Sequence, residues 1–320
     1  MDGSAAEWFA SATSRSVDWP VARLLADKRN QRISVVIPAR NEEATIAAVV
    51  DGIRRELVDR VPLVDELVVM DSDSVDGTAD IAAACGATVH PVRAVRPDLG
   101  GRPGKGEALW KSLFVTDGDL VVFIDADLTE WGPHFVTGLL GPLLHDPAVQ
   151  LVKGFYDRIL DDGSERQAPQ GGRVTELVAR PLLNMRWPQL SRVVQPLAGE
   201  WAIRRATMSS LPIPVGYGVE MAVLLDVCAR YGLGAVAQVD LGRRAHSHQN
   251  VHDLGVMAAE ILHTAERRAG LPGDNAETGT LWQYDRDTSP PWRGRPVPLA
   301  ERPPAASVGT SEGAAGAEAR

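Results

Sequence analysis

The sequence predicts an α/β fold with a doubly wound, mostly parallel central sheet flanked by helices, and three observations predict it. Short runs rich in β-branched residues recur at Ile33–Ile37, Glu66–Met70 and Leu120–Ile124. Segments of helical periodicity separate them, which calls for right-handed crossovers between parallel strands. The run Leu120–Ile124 is apolar at every position, as strands covered on both faces are. It ends in Asp125-Ala126-Asp127, two carboxylates one residue apart at the C-terminal edge of a strand, where open α/β sheets bind ligands.

Composition narrows the class. The chain has 320 residues, 44% hydrophobic and 23% charged, enough to bury a large core. Its 33 Lys and Arg against 42 Asp and Glu leave a net charge of −9, which excludes a nucleic-acid partner held by counterion release. A local basic site for a small anion is still allowed. Cys85 and Cys228 lie in apolar helical patterns and read as buried free thiols of a reducing compartment. No apolar run reaches the roughly 18 residues of a membrane span, and no signal sequence opens the chain, so a cytoplasmic protein without a membrane partner is expected.

Taken in order, residues 1–30 read as an N-terminal arm that docks Trp8, Phe9 and Trp19 on the body. After Ile33–Ile37, Pro38 closes the first strand and Asn41-Glu42-Glu43 opens a helix over Ala44–Leu57. Glu66–Met70 is followed by the polar loop Asp71-Ser72-Asp73-Ser74 and a helix over Ala79–Ala84, stopped at Gly86 before a short strand. The glycine-rich loop Gly100–Glu107 delivers Lys105 just ahead of the central strand and can approach a phosphate closely, although it is not a Walker A sequence. A helix over His134–Leu144 and a strand over Val149–Phe155 follow. The polar stretch Asp161–Gln170 reads as a mobile loop.

Gly171-Gly172-Arg173-Val174-Thr175 then starts a helix, where free N–H groups, the positive end of the dipole and a guanidinium suit an anion. Pro196–Ile203 reads as strand-like, and Tyr217-Gly218-Val219-Glu220 leads into an amphipathic helix. A last strand over Ala235–Leu241 runs into Arg243-Arg244-Ala245-His246-Ser247-His248, before a helix over Leu254–Arg268. Boundaries follow as 1–30, 31–155, 156–272 and a largely disordered tail over 273–320, whose composition turns to Gly, Pro, Ala, Glu and Ser.

The acidic pair, the lysine-bearing loop, Asn-Glu-Glu in the first βα loop and a distant histidine together suit a nucleoside diphosphate held with Mg²⁺ or Mn²⁺. Such ions take carboxylates, phosphates and water, and Mn²⁺ tolerates imidazole. Asp127 with His246 suits the ion, and Lys105 adds positive charge against a diphosphate leaving group.

Four blocks carry a resemblance: Ile33 to Glu43, Arg102 to Trp110, Gly171 to Leu183 and Gly216 to Glu220. The chain from about Trp19 to Leu271 resembles the actinobacterial glucosyl-3-phosphoglycerate synthases. The long Gly-Gly-Arg-Val-Thr-Glu block is the specific part, whereas the first block and Asp-x-Asp are shared by many GT-A glycosyltransferases. The resemblance implies a GT-A fold with an acceptor-binding C-terminal portion and a homodimer. It implies a retaining transfer of glucose from UDP-glucose, or GDP-glucose, to the 2-hydroxyl of 3-phospho-D-glycerate. Pro38, Ala39, Glu42, Ser72, Lys105 and Asp125 would then hold the nucleotide sugar, and Asp127 with His246 the metal. Arg173 and Thr175 would receive the phosphoglycerate anion, with Tyr217 and His248 beside it. Glu220, Lys105 and the Leu197 backbone would lie at the reacting centre.

Two departures stand out. Ala126 occupies the middle of Asp-x-Asp where the family has Ser, and His248 stands where the family's His-x-Asn has Asn. Transfer of mannose from GDP-mannose, as in the related mannosyl-3-phosphoglycerate synthases, is the neighbouring alternative. A sugar nucleotidyltransferase and a catalytically silent nucleotide-sugar binding protein are more remote ones.

Overall fold

The computed structural model describes residues 3–160, 172–246, 250–271 and 276–309. The stretch read as a loop over Asp161–Gln170, His248 and the last residues of the chain lie outside them, and His246 is described by its backbone only. The N-terminal arm is α1 (Gly3–Ala12), β1 (Thr13–Arg15) and α2 (Val21–Lys28). The next part runs β2 (Ile33–Ala39), α3 (Ile46–Ile53), β3 (Glu66–Asp71), α4 (Thr78–Ala84), β4 (Thr88–Pro91), α5 (Lys105–Ser112), β5 (Leu120–Phe123) and α6 (His134–His145). Then come β6 (Leu151–Leu160), α7 (Arg180–Arg186), β7 (Trp201–Arg204), α8 (Arg205–Ser209), β8 (Ile213–Pro214), α9 (Val219–Tyr231), β9 (Val236–His246) and α10 (Val251–Arg268). The described chain ends in β10 (Thr278–Tyr284), β11 (Trp292–Pro298) and β12 (Glu301–Arg302).

Eight strands form one sheet in the order β1-β9-β6-β7-β5-β2-β3-β4. Pairs β2–β3, β2–β5, β3–β4, β6–β9 and β1–β9 are parallel, while β7 runs against both β5 and β6. Strand alternation explains why the central run is apolar throughout. Val121 and Phe123 of β5 join Val36 of β2 in a core with α5 and α9, whereas Leu120, Val122 and Ile124 join Ile33, Val35 and Ile37 in a core with α3 and α6. Both faces are covered, so a polar residue anywhere in β5 would be buried.

The arm docks as an extra parallel strand on β9. Trp8 and Trp19 bury, with the Trp8 indole donating to Val236 O at 2.8 Å and Trp19 seated where any side chain at Gly141 would collide with its ring at 2.1 Å. Phe9, expected to dock with them, is exposed on the outer face of α1. Pro196–Ile203 is not one strand. The Ala198 amide donates to Gln195 O, closing a turn ahead of β7, so only Trp201–Arg204 pairs with the sheet.

The largest correction concerns the C-terminal part. The tail expected from 273 onward is ordered over 276–309: β10 and β11 pair over seven residues and pack on α10, and β12 pairs with β8. Average composition missed the alternating Thr278–Tyr284 pattern. It also missed one buried arginine, Arg302, which has a carboxylate waiting for it in α5.

Candidate active site

The site gathers at the C-terminal ends of β2, β3 and β5. Pro38 and Ala39 end β2, paired with Met70 and Asp71 of β3, and the Ser72 amide donates to Ala39 O at 2.9 Å. The following loop is built from side-chain caps. The Glu42 amide donates to Thr78 Oγ1, the Gly77 amide to Glu43 Oε2, and the Val75 amide to Asn41 Oδ1. This locks the two βα loops together, so Pro38, Ala39, Glu42 and Ser72 line one rim. Burial, with the charge of Asp127 added, pushes the Glu42 carboxyl up to about 7.

Beyond β5, Ile124 still donates to Val36 O, and Asp125 turns inward into a cluster of charges. Lys105, the first residue of α5, places Nζ 2.6 Å from Asp125 Oδ1 and 2.9 Å from Glu220 Oε1. Burial alone would draw the Lys105 proton off, but the two carboxylates hold its pKa well above the usual lysine value. Lys105 is therefore a fixed ammonium. Burial opposes ionisation of Asp125 as well, yet Lys105 and Arg244 keep its carboxyl well below the usual range.

Arg244, on β9, spans the cluster. Its Nη2 lies 3.3 Å from Asp125 Oδ2 and 2.8 Å from Asp127 Oδ1, and its Nη1 lies 2.7 Å from the Tyr156 hydroxyl and 2.9 Å from Glu200 Oε1. Glu200 is fully buried, and burial raises its pKa. Lys153, on β6, donates to Ala198 O at 2.7 Å, and burial brings its pKa down to about 8. That bond pins the Gln195–Gly199 turn carrying Leu197. Gly199 lets the turn pass the acidic pair, because a Cβ there would sit 2.1 Å from Asp125 Oδ2.

Two glycines of the Lys105 loop are required by the fold itself. Gly100 and Gly101 face open space, but Gly104 adopts φ +127° with a Cβ position 2.4 Å from Val215 O, and a Cβ at Gly106 would lie 1.8 Å from Pro214 O. Their small size serves a close backbone approach, with Gly106 and Glu107 donating to Gly216 O and Val215 O. That approach brings the Gly216–Glu220 turn to Lys105. Tyr217 is partly exposed, and its amide donates to Glu260 Oε2 of α10 at 2.6 Å. Burial pushes the Glu260 carboxyl up to about 7. Helix α10 also packs on Thr175–Ala179, where Thr175 is buried and Arg173 exposed beside it. The stretch starting at Arg173 thus shares a helix with the Tyr217 turn.

Sequence reasoning singled out Lys105, Asp125 and Glu220, and the fold brings all three together. It passed over Lys153, Glu200 and Tyr156, and gave Arg244 no role. An isolated charge inside an apolar strand, as in Leu151-Val152-Lys153-Gly154-Phe155, was the available signal.

Mg²⁺ and Mn²⁺ favour the oxygen donors that cluster here. Asp127 is partly exposed, and the backbone of His246 ends β9 two residues beyond Arg244, which itself reaches Asp127. Among the described side chains no three His, Cys, Asp or Glu form a metal-binding group.

The profile of glycosyl transferase family 2 matches residues 34–205. The chain is 48% identical over 290 residues to glucosyl-3-phosphoglycerate synthase of Mycobacterium tuberculosis, covering 89% of each chain. It is also similar to a crystal structure of that enzyme with Mn²⁺, uridine-diphosphate-glucose and phosphoglyceric acid. The TM-score is 0.80 and the identity 46%, over 90% of this chain and 95% of the other. A further structure of the mycobacterial enzyme, with Mn²⁺, uridine-diphosphate and glucosyl-3-phosphoglycerate, matches with a TM-score of 0.79 over the same shares.

Proposed function

The chain belongs to glycosyl transferase family 2 and, within it, to the glucosyl-3-phosphoglycerate synthases, and from that premise we propose that it transfers glucose from UDP-glucose to the 2-hydroxyl of 3-phospho-D-glycerate with retention. The observation that carries the reading is the charge cluster: a lysine held as an ammonium between Asp125 and Glu220, next to Asp127 at the end of β5. No helix among the described residues is long and apolar enough to cross a membrane. A homodimer and a cytoplasmic location belong to the same reading.

In this reading Pro38, Ala39, Glu42 and Ser72 receive the nucleoside, and Asp127 with His246 holds the ion. The chemistry that a bound Mg²⁺ or Mn²⁺ supplies is stabilisation of negative charge on the leaving diphosphate. Lys105 adds a second positive charge to that leaving group, its ammonium held by Asp125 and Glu220. Asp125 orients Lys105 from beside the nucleoside. Glu220 faces the sugar, and the Leu197 backbone, fixed through Lys153, lies at the reacting carbon. Arg173 and Thr175, with Tyr217 and His248, receive the phosphoglycerate. The bond from the anomeric carbon to the phosphate oxygen breaks as the bond to the acceptor oxygen forms on the same face. The acceptor proton passes to the departing phosphate.

Incubation with UDP-glucose, GDP-glucose and GDP-mannose against 3-phosphoglycerate and Mg²⁺ or Mn²⁺, with product identification, tests the reading. Glucosyl-3-phosphoglycerate and UDP are expected. No product with any donor, or pyrophosphate release when a nucleoside triphosphate and a sugar phosphate are supplied instead, would overturn it.

A further inference from the structure

Residues 300–303 hold both sides of the Lys105–Glu220 pair at once. On the Lys105 side, Arg302 is 6% exposed and places its guanidinium against both oxygens of the fully buried Glu107, at 2.7 and 2.6 Å. The same guanidinium donates to Leu99 O and Gly100 O at 2.8 and 3.0 Å. Glu107 in turn accepts from the Arg102 amide. One side chain therefore closes the loop 99–107 at its beginning and its end, with Lys105 between. Trp110 adds its ring face to Arg302, at 5.0 Å, and its indole N–H to Pro303 O.

On the other side, Glu301 and Arg302 pair with Pro214 and Ile213, and the Val215 amide donates to Ala300 O. The next residues, Val215 and Gly216, receive the amides of Glu107 and Gly106 before the chain turns into α9 and Glu220. Glu301 is itself tied to α10 through Arg268, at 2.6 Å, and Arg268 reaches Asp226 of α9 at 2.9 Å.

From these contacts we infer that residues 300–303 form a positioning element of the donor site, in which Arg302 acts through Glu107 to set Lys105 against Glu220. The inference rests on the reading of Lys105 and Glu220 as donor-site residues. Without Arg302 the Glu107 carboxylate keeps the Arg102 amide, at 3.3 Å, and Lys111, 3.6 Å away, and a buried charge so poorly compensated is relieved by opening the loop. The displacement reaches Lys105 two residues earlier and the Pro214–Gly216 backbone beside it.

The test compares full-length Arg302→Gln and Arg302→Lys, and a chain ended after Leu299, with the unaltered protein. Two readouts are taken: the KM for UDP-glucose and for 3-phosphoglycerate, and hydrogen exchange over 99–107, 212–218 and 33–39. The donor KM is expected to rise about tenfold in Arg302→Gln, less in Arg302→Lys, with the acceptor KM within about twofold. Exchange should accelerate in 99–107 and 212–218 together and stay unchanged in β2. An unchanged donor KM with kcat falling only in step with the folded fraction would overturn the inference. So would unchanged exchange in either segment. If the shortened chain does not fold, the two point variants decide. If the unaltered protein turns over no nucleotide sugar, the proposed reaction fails and the exchange comparison alone decides the role of Arg302.

Discussion

The two flanks of the site are held by different kinds of contact. On the β2–β3 flank, Asn41, Glu42 and Glu43 bond to the loop around Asp76 and Thr78 across 33 to 36 positions, between side chains and amides of two consecutive βα loops. On the far flank the partners are charges, all but Asp127 buried, that meet across much longer spans: Arg244 and Glu200 over 44 positions, Arg244 and Asp127 over 117, Arg302 and Glu107 over 195. The first flank is a set of neutral and singly charged caps, each worth a modest amount. The second is a network in which Arg244, Glu200, Arg302 and Glu107 have been taken out of water and depend on their partners. A loop cap is replaceable by water; a buried partner is not.

Asp127 belongs to the far flank by its bond to Arg244 and to the proposed ion site, so its removal has the largest expected effect. Asp127→Ala should lower kcat/KM for UDP-glucose by about 10³-fold, measured under saturating phosphoglycerate, since it removes charge organisation at the leaving group. A loss below about tenfold would move the metal role elsewhere.

Next comes a direct contest between the flanks. Arg244→Gln leaves Glu200 buried and Asp125 with Lys105 as its remaining cation, and should cost about 3–5 kcal/mol in denaturant unfolding. Added Mn²⁺ should restore more of that loss than it adds to the unaltered protein, because a divalent ion at Asp127 replaces part of the missing charge. Thr78→Val on the near flank removes the acceptor for the Glu42 amide and should cost about 1 kcal/mol. Equal losses from the two changes would erase the distinction drawn between them.

A further effect is one of pH, at Glu260 beneath the Tyr217 turn. Its carboxyl ionises near 7 in the folded chain against an ordinary 4.5. Between those values the folded state binds the proton more tightly than the unfolded one, so this group's contribution to stability falls as pH rises through the window. Glu260→Gln removes that dependence while keeping an acceptor for the Tyr217 amide. The difference in Tm, unaltered minus variant, should fall by roughly 3–5 °C between pH 5 and pH 8. A difference that is flat with pH would mean that Glu260 is ionised throughout.

The same contrast explains what could be seen beforehand. The strands β2, β3 and β5, the acidic pair and Lys105 were legible because apolar runs, turn residues and glycine spacing are local in the chain and carry their physical cause with them. Asp125 and Asp127 followed from where such a strand must end. The extension of β9 through Arg244 to His246, the antiparallel insertion of β7, and the ordered residues 276–309 were not legible in that way. Arg302 sits among Glu, Pro and Ala, a composition that reads as solvated, and only the placement of Glu107 in a dry pocket makes burying it favourable. Lys153 and Glu200 likewise read as exceptions until Ala198 O and Arg244 are set beside them. The sequence by itself determined the strands β2, β3 and β5, their acidic edge and the lysine ahead of it, because each of these depends on neighbours in the chain. The pairing of buried charges, and with it the geometry of the site, was decided by tertiary structure, because compensating a desolvated charge takes a partner that the chain supplies from far away.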